Sequence, residues 1–267
     1  MDVLLHTIAL EPARWTPQRV FRPLAKLLPR IAAFGFEKLE VFEPHLRVKE
    51  EWPELLKSFA EHNLTPRILS SYLNLSPAVT SDAELTSQVE LLKLCLETFG
   101  FTKVRLFPGS GISPTDKKSI LLFTERLGSL RAKIPSVELL LETHDGSLAD
   151  DPALLVEIVK DLALPKTGLL YQPTYFEPQR AWEQFQRQKD FIRHVHLQNR
   201  HPDLSFATLQ EGIVRWEKML PALDEDVDMT LEFVPAGICS SAEFDLERVL
   251  AQARADADFA RRVSGKK

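Results

Sequence analysis

The residues best suited to chemistry lie at the ends of four consecutive predicted strands in the second half of the chain. Glu142 ends one strand, Gln172 follows the next, and His196 and Glu232 lie in the last two. Side chains along a strand alternate in direction, and the apolar neighbours of these residues take the opposite face. We therefore expect two carboxylates, an imidazole and an amide to point toward one place.

A metal ion would explain why such groups are gathered. Two carboxylates buried together lose hydration and repel each other unless a proton or a cation offsets that cost. Oxygen ligands with one imidazole suit manganese or magnesium, with zinc and cobalt as alternatives. Taken singly, Glu142 could cap the next helix and His196 could be a core histidine, so the prediction depends on their agreement. The sequence predicts a divalent metal site with the ligands Glu142, Gln172, His196 and Glu232.

Short apolar runs that alternate with longer helical patterns must position these residues. This alternation predicts parallel strands joined by crossover helices. The runs recur roughly every 25–36 residues, which is the length of one βαβ step. Two helix starts are marked as well: Ser81 and Glu84 have the spacing of a capping box, and Asp151 precedes a proline at the first helical position. The predicted strands cover residues 3–9, 38–42, 67–71, 103–107, 138–142, 168–171, 194–197 and 229–233.

Eight such steps fill the 267 residues. We therefore predict an α/β fold, a single (β/α)8 TIM barrel in one domain spanning residues 1–267, with its chemistry at the carboxyl ends of the strands. The competing architecture, an open doubly wound sheet, would need a glycine-rich phosphate loop after the first strand. Residues 9–15 (Ala-Leu-Glu-Pro-Ala-Arg-Trp) contain no glycine, so the barrel is favoured.

Composition limits the cellular compartment and the classes of partner that we expect for this protein. The net charge is -5 and no dense run of Lys or Arg occurs, which argues against binding to nucleic acid. Cys95 and Cys239 are isolated and lack the spacing of metal ligands, as expected for reduced thiols in a cytoplasmic protein. Neither a signal peptide nor an uncharged apolar run of transmembrane length is present, so we expect no membrane partner.

Short motifs at the strand ends resemble the sugar phosphate isomerase/epimerase family, whose members have the xylose-isomerase-like TIM barrel. The likeness extends over nearly the whole chain, although each motif is short. The motifs are residues 33–40 (Ala-Phe-Gly-Phe-Glu-Lys-Leu-Glu), 141–144 (Leu-Glu-Thr-His), 194–200 (His-Val-His-Leu-Gln-Asn-Arg), 211–216 (Glu-Gly-Ile-Val-Arg-Trp) and 231–232 (Leu-Glu).

This resemblance implies a divalent-metal-dependent sugar or sugar-phosphate isomerase or epimerase that transfers a proton next to a carbonyl. Glu142 and Glu232 would be the catalytic residues, taking and returning the proton. The partner would be a small carbohydrate, and a homo-oligomer is expected by analogy with many members. The residues predicted to bind the substrate are His144, Arg200, Tyr175 and Trp15.

Two departures from the family pattern keep other functions open. Gln172 stands where the family has Asp, and Tyr175 where it has a nearby His. The ligand set then carries about two negative charges rather than three, so we expect weaker metal binding. The alternatives are an inosose-dehydratase-like lyase and a degenerate, non-catalytic sugar-binding barrel. Apurinic-site endonucleases share the fold, but their three-zinc site needs histidines that the ends of the third and fourth predicted strands lack.

Overall fold

The computed structural model describes residues 2–12, 14–15 and 21–265. Within these residues, eight parallel strands close into a barrel with helices between them, which confirms the predicted TIM barrel. The described residues contain ten strands in all, two of them outside the barrel: β1 Val3–His6, β2 Lys38–Phe42, β3 Thr65–Ser70, β4 Lys103–Leu106, β5 Glu138–Glu142, β6 Thr167–Tyr171, β7 Ile192–Leu197, β8 Asn199–Arg200, β9 Phe206–Ala207 and β10 Asp228–Leu231. The barrel order is β1-β10-β7-β6-β5-β4-β3-β2, and β8 pairs with β9 in a separate two-stranded ribbon.

The helices surround the barrel, and their apolar faces are buried against the strands. The predicted capping box is present at the start of α3, where the Ser81 hydroxyl accepts from the Glu84 N–H and the Glu84 carboxylate accepts from the Ser81 N–H. Asp151 caps α5 as predicted. The helices are α1 Leu24–Ala33, α2 Trp52–Glu61, α3 Asp82–Phe99, α4 Lys117–Lys133, α5 Pro152–Leu162, α6 Pro178–Gln188, α7 Trp216–Met219 and α8 Leu246–Ser264. None of the helices in the described ranges has the length and apolar character needed to cross a membrane.

The first strand is shorter than the sequence predicts. It ends at His6, and Thr7–Leu10 form a 3-10 turn instead of continuing the strand to residue 9. The physical reason is local: Nδ1 of His6 accepts a hydrogen bond from the backbone N–H of Ile8 at 3.1 Å, which caps the turn. At the last barrel strand, Glu232 and Phe233 follow β10 rather than ending it.

Layers of side chains fill the barrel, as is usual for this architecture. Leu4, Ile68, Leu140 and Leu170 form a buried apolar cluster inside it. Side chains two residues further along the same strands point inward again. Those next positions are polar: they hold His6, Ser70, Glu142 and Gln172. The apolar layer therefore supports a polar layer at the carboxyl end of the barrel.

A buried carboxylate outside the barrel gives a test of stability against pH. Asp256 in α8 is 4% exposed, and its Oδ1 accepts a hydrogen bond from the Leu209 N–H at 3.1 Å. Burial raises the pKa of Asp256 from 3.8 to about 6, although the Leu209 bond acts the other way. The folded state thus binds this proton more tightly than the unfolded state, so ionisation of Asp256 destabilises the fold as pH rises from about 4 to 6.

Asp256→Asn keeps the acceptor and removes the charge. We expect the free energy of unfolding to increase by about 1–3 kcal/mol at pH 7.5, and the gain to shrink to about a third at pH 4.5. Urea unfolding at the two pH values measures this. A gain of equal size at both values would show that burial of the charge is not the cause.

Candidate active site

The structure brings together the four side chains that the sequence predicts as ligands. Nδ1 of His196 lies 3.3 Å from Glu142 Oε1 and 3.6 Å from Glu232 Oε2. One ligand atom from each of these three buried residues lies within 4.8 Å of the others, a spacing that one ion could bridge. The side-chain amide of Gln172 lies between the two carboxylates.

The neighbours of Gln172 determine how its amide is oriented. With the NH2 group toward the carboxylates, it donates to Glu142 Oε1 at 2.7 Å and to Glu232 Oε2 at 2.9 Å. Its oxygen then accepts from Nε2 of Gln198 at 3.1 Å. The reverse orientation would set the amide oxygen against two carboxylate oxygens and the NH2 group against the NH2 group of Gln198, so acceptor would face acceptor and donor would face donor. Gln172 therefore acts here as a hydrogen-bond donor, and it would have to turn to offer oxygen to a metal.

A second carboxylate holds the other side of the His196 ring. Nε2 of His196 lies 3.0 Å from both carboxylate oxygens of Glu40, a buried residue of β2. A proton on Nε2 can be donated to Glu40. Nδ1, which faces Glu142 and Glu232, is then the nitrogen that would bind a metal after giving up its own proton. A carboxylate behind the imidazole is the usual arrangement for a metal-binding histidine. Burial acts to lower the pKa of His196. The nearby carboxylates of Glu40, Glu232 and Glu142 outweigh burial and raise this pKa well above its usual value.

A buried cation lies beside Glu142. Arg105 in β4 is 1% exposed, and its Nε lies 3.0 Å from Glu142 Oε2. Nη1 donates to the Ser71 carbonyl at 3.1 Å, and Nη2 donates to the Ser70 hydroxyl. Sequence analysis missed Arg105 and the role of Glu40, although both lie between outward-facing apolar residues, the same signal that revealed the other four.

The two central carboxylates have unequal surroundings. Burial raises the pKa of Glu232 to about 8, although His196 acts the other way. Burial also acts to raise the pKa of Glu142, but Arg105 and His196 outweigh it and lower that pKa to about 2. The difference follows from position, because Arg105 forms an ion pair with Glu142 and not with Glu232.

A cavity of about 220 Å³ opens above this centre. Gln172 and Glu232 contribute to its lining beside the predicted substrate-binding residues His144, Arg200 and Trp15. Apolar and aromatic side chains complete the walls, among them Ile8, Phe107, Phe176 and Phe233. This combination of polar groups and aromatic faces suits a small polyhydroxylated molecule.

The predicted substrate-binding residues take different positions. His144 is packed against Phe107, with 4.7 Å between ring centroids. The guanidinium of Arg200 lies 3.4 Å above the Phe206 ring, and Trp15 is 60% exposed at the rim. Tyr175 is not among the residues that line the cavity, and its ring instead lies 4.2 Å from the guanidinium of Arg180.

The donor set fits a divalent ion. Two carboxylates and an imidazole nitrogen converge, and Glu142 Oε2 is a buried oxygen without a well-aligned hydrogen bond. The family model described as xylose isomerase-like TIM barrel matches residues 28–262. The chain belongs to this family. The match spans β2 to β10 and therefore includes Glu40, Arg105 and the four predicted ligands. No curated protein was found to match the sequence.

Three solved structures share the fold of this family member. The probable 3-DHS dehydratase AsbF from Bacillus anthracis is 19% identical with a TM-score of 0.72, and the alignment covers 94% of this chain and 98% of that one. The IOLI protein with a bound zinc atom is 17% identical with a TM-score of 0.74, covering 98% and 99%. An L-ribulose 3-epimerase is 16% identical with a TM-score of 0.70, covering 98% and 96%.

Proposed function

We propose that the protein is a divalent-metal-dependent isomerase or epimerase that acts on a small sugar or sugar phosphate by moving a proton next to its carbonyl. The observation that carries this proposal is the position of Glu142 and Glu232 around Nδ1 of His196, below a sugar-sized cavity. Similarity to an L-ribulose 3-epimerase supports the choice of reaction.

The metal would be held by Glu142, Glu232 and Nδ1 of His196. Manganese and magnesium suit this oxygen-rich set best, and zinc, which the similar IOLI protein binds, is an alternative. When bound, such an ion polarises the substrate carbonyl and stabilises negative charge on its oxygen. Glu40 orients the imidazole behind it.

The protein's own carboxylates perform the proton transfer. Glu142, which Arg105 keeps ionised, accepts the proton from the carbon next to the carbonyl. Glu232 reaches the centre from another strand, so it can return a proton to a different face of the same carbon, as epimerisation requires. One carboxylate acting at two adjacent carbons would instead give isomerisation between ketose and aldose.

The walls of the cavity select and orient the sugar. Aromatic faces such as Phe107 and Phe176 can pack on the apolar C–H side of a sugar ring, while Arg200 supplies donors to its hydroxyl groups or phosphate and His144 supplies an acceptor for a hydroxyl group. Because Nδ1 of His144 lies 2.8 Å from the Asp145 carbonyl, Nδ1 carries the proton in that hydrogen bond and Nε2 is the acceptor left for substrate.

A lyase is the second candidate, favoured by the similarity to a probable dehydratase. The same acid and base could remove a proton and expel a hydroxyl group as water. The two reactions differ in their products, since a lyase lowers the substrate mass by one water and an epimerase conserves it.

Exchange of hydrogen next to a carbonyl tests the proposed function. A panel of ketoses and sugar phosphates is incubated with the protein and manganese in heavy water and followed by proton NMR. For at least one sugar, we expect loss of the signal of the hydrogen on the carbon next to the carbonyl, because deuterium replaces it, while the carbon skeleton is retained. The rate should fall at least about tenfold after removal of the metal by a chelator.

Two results would contradict the proposal. A product lacking one water would assign the lyase reaction instead. A sugar that binds with or without manganese, but never exchanges, would support a non-catalytic binding barrel.

A further inference from the structure

The acidic centre already holds cationic and neutral donors of its own. Oε2 of Glu142 faces Nε of Arg105 at 3.0 Å, and Oε1 of Glu142 faces the NH2 group of Gln172 at 2.7 Å. The same NH2 group reaches Oε2 of Glu232 at 2.9 Å. Each oxygen of Glu142 therefore has a nitrogen partner from the protein, and the carboxylate pair is bridged by an amide.

Arg105 is fixed in this position. Its two other nitrogens are bound to the Ser71 carbonyl and the Ser70 hydroxyl. Its guanidinium carbon lies 4.2 Å from the centre of the Phe107 ring and 5.3 Å from that of Tyr72, so aromatic faces cover it. Because the group is 1% exposed and held on all sides, its positive charge stays in the site whatever else binds there.

Gln172 is held differently. Its side-chain hydrogen bonds run only to other side chains, those of Glu142, Glu232 and Gln198. The residue is half-buried at the cavity floor, so the amide can turn without disturbing the backbone. A divalent ion would bind the same two carboxylate oxygens that the NH2 group now binds. The ion and the amide donor therefore exclude each other.

We propose that Arg105 and Gln172 are the residues that tune metal affinity at this site. Arg105 is a permanent positive charge that holds Glu142 through one of its two carboxylate oxygens. Gln172 competes with the ion for the carboxylate oxygens. This inference rests on the metal site in the proposed function. Two positive charges a few ångströms apart in a protein repel each other strongly. A divalent ion beside Arg105 therefore binds less tightly than it would without this residue. The ion must also displace the Gln172 amide. The site thus exchanges its ion readily and fills only where the ion is abundant.

The experiment titrates the full-length protein with manganese alone and follows free manganese by electron paramagnetic resonance. Arg105→Met removes the charge but keeps most of the length. Because the repulsion of the ion is lost, we expect the Kd for manganese to fall about tenfold or more. Arg105→Lys is the matched control: it keeps the positive charge and therefore the repulsion of the ion, so its Kd should stay within about threefold of wild type. Gln172→Ala should also lower the Kd, because the competing donor is lost. A residue that served chiefly as a ligand would raise the Kd when removed.

Several outcomes would overturn this inference. An unchanged or higher Kd in Arg105→Met, a Kd in Arg105→Lys that falls as far as in Arg105→Met, or a higher Kd in Gln172→Ala would each do so. Circular dichroism verifies folding, and if Arg105→Met does not fold, Gln172→Ala decides the question. No manganese binding by any variant would remove the metal site itself. Manganese binding with the expected order of affinities, but no exchange in any sugar, would reject the proposed reaction and leave this inference standing.

Discussion

Glu142→Gln and Glu232→Gln should each lower the rate of hydrogen exchange next to the sugar carbonyl by about a thousandfold. Glutamine has nearly the same shape as glutamate, but it neither accepts nor returns a proton at neutral pH. General acid–base catalysis by one positioned group commonly contributes about 10²–10⁴-fold to a rate. Both residues are buried at the centre of the site, so water cannot easily replace the missing group.

The measurement must separate catalysis from metal binding, because each variant also loses a charged ligand. Exchange rates are therefore compared at manganese concentrations that saturate each variant, as determined by titration. Glu217→Gln, an exposed glutamate of α7, is the matched control and should stay within about threefold of wild type. A rate above a tenth of wild type in either central variant would mean that the proton is moved by another group.

The period of two along the strands was enough to predict which side chains converge. Leu139 and Leu141 face the helices and are buried there, so Glu142 must turn inward. The same counting applied to β2 and β4 turns Glu40 and Arg105 inward. This pattern does not predict which residue a long side chain contacts. The partner of the Arg105 guanidinium depends on where the neighbouring strand places its carboxylate.

The same method does not apply to loop residues such as Tyr175, because no periodic rule fixes the direction of their side chains. Tyr175 is predicted to bind substrate, but Thr174 and Phe176 on either side of it line the cavity instead. The early end of β1 has the same origin: the side chain of His6 bonds to the backbone of the next turn, a contact that apolar periodicity does not reveal.

Glu40→Gln should raise the Kd for manganese about ten- to a hundredfold, the range seen when groups behind a metal ligand are removed. Glu40 accepts from Nε2 of His196 at 3.0 Å and lies 3.4 Å from Nε2 of His6. A carboxylate at this position makes Nδ1 of His196 the free, strongly basic nitrogen. An amide can donate as well as accept, so the imidazole loses both its fixed tautomer and the nearby negative charge.

Glu138→Gln separates this effect from general destabilisation. Glu138 begins β5 at the far end of the barrel, where its Oε2 lies 3.3 Å from the ammonium group of Lys103. We expect both variants to lower the free energy of unfolding by about 1–3 kcal/mol in urea, since each weakens a bond to a partly or fully buried donor. Only Glu40→Gln should change the Kd for manganese. If the two variants bind manganese equally well, Glu40 stabilises the fold but does not contribute to metal binding. The orientation of His196 must then come from its other neighbours.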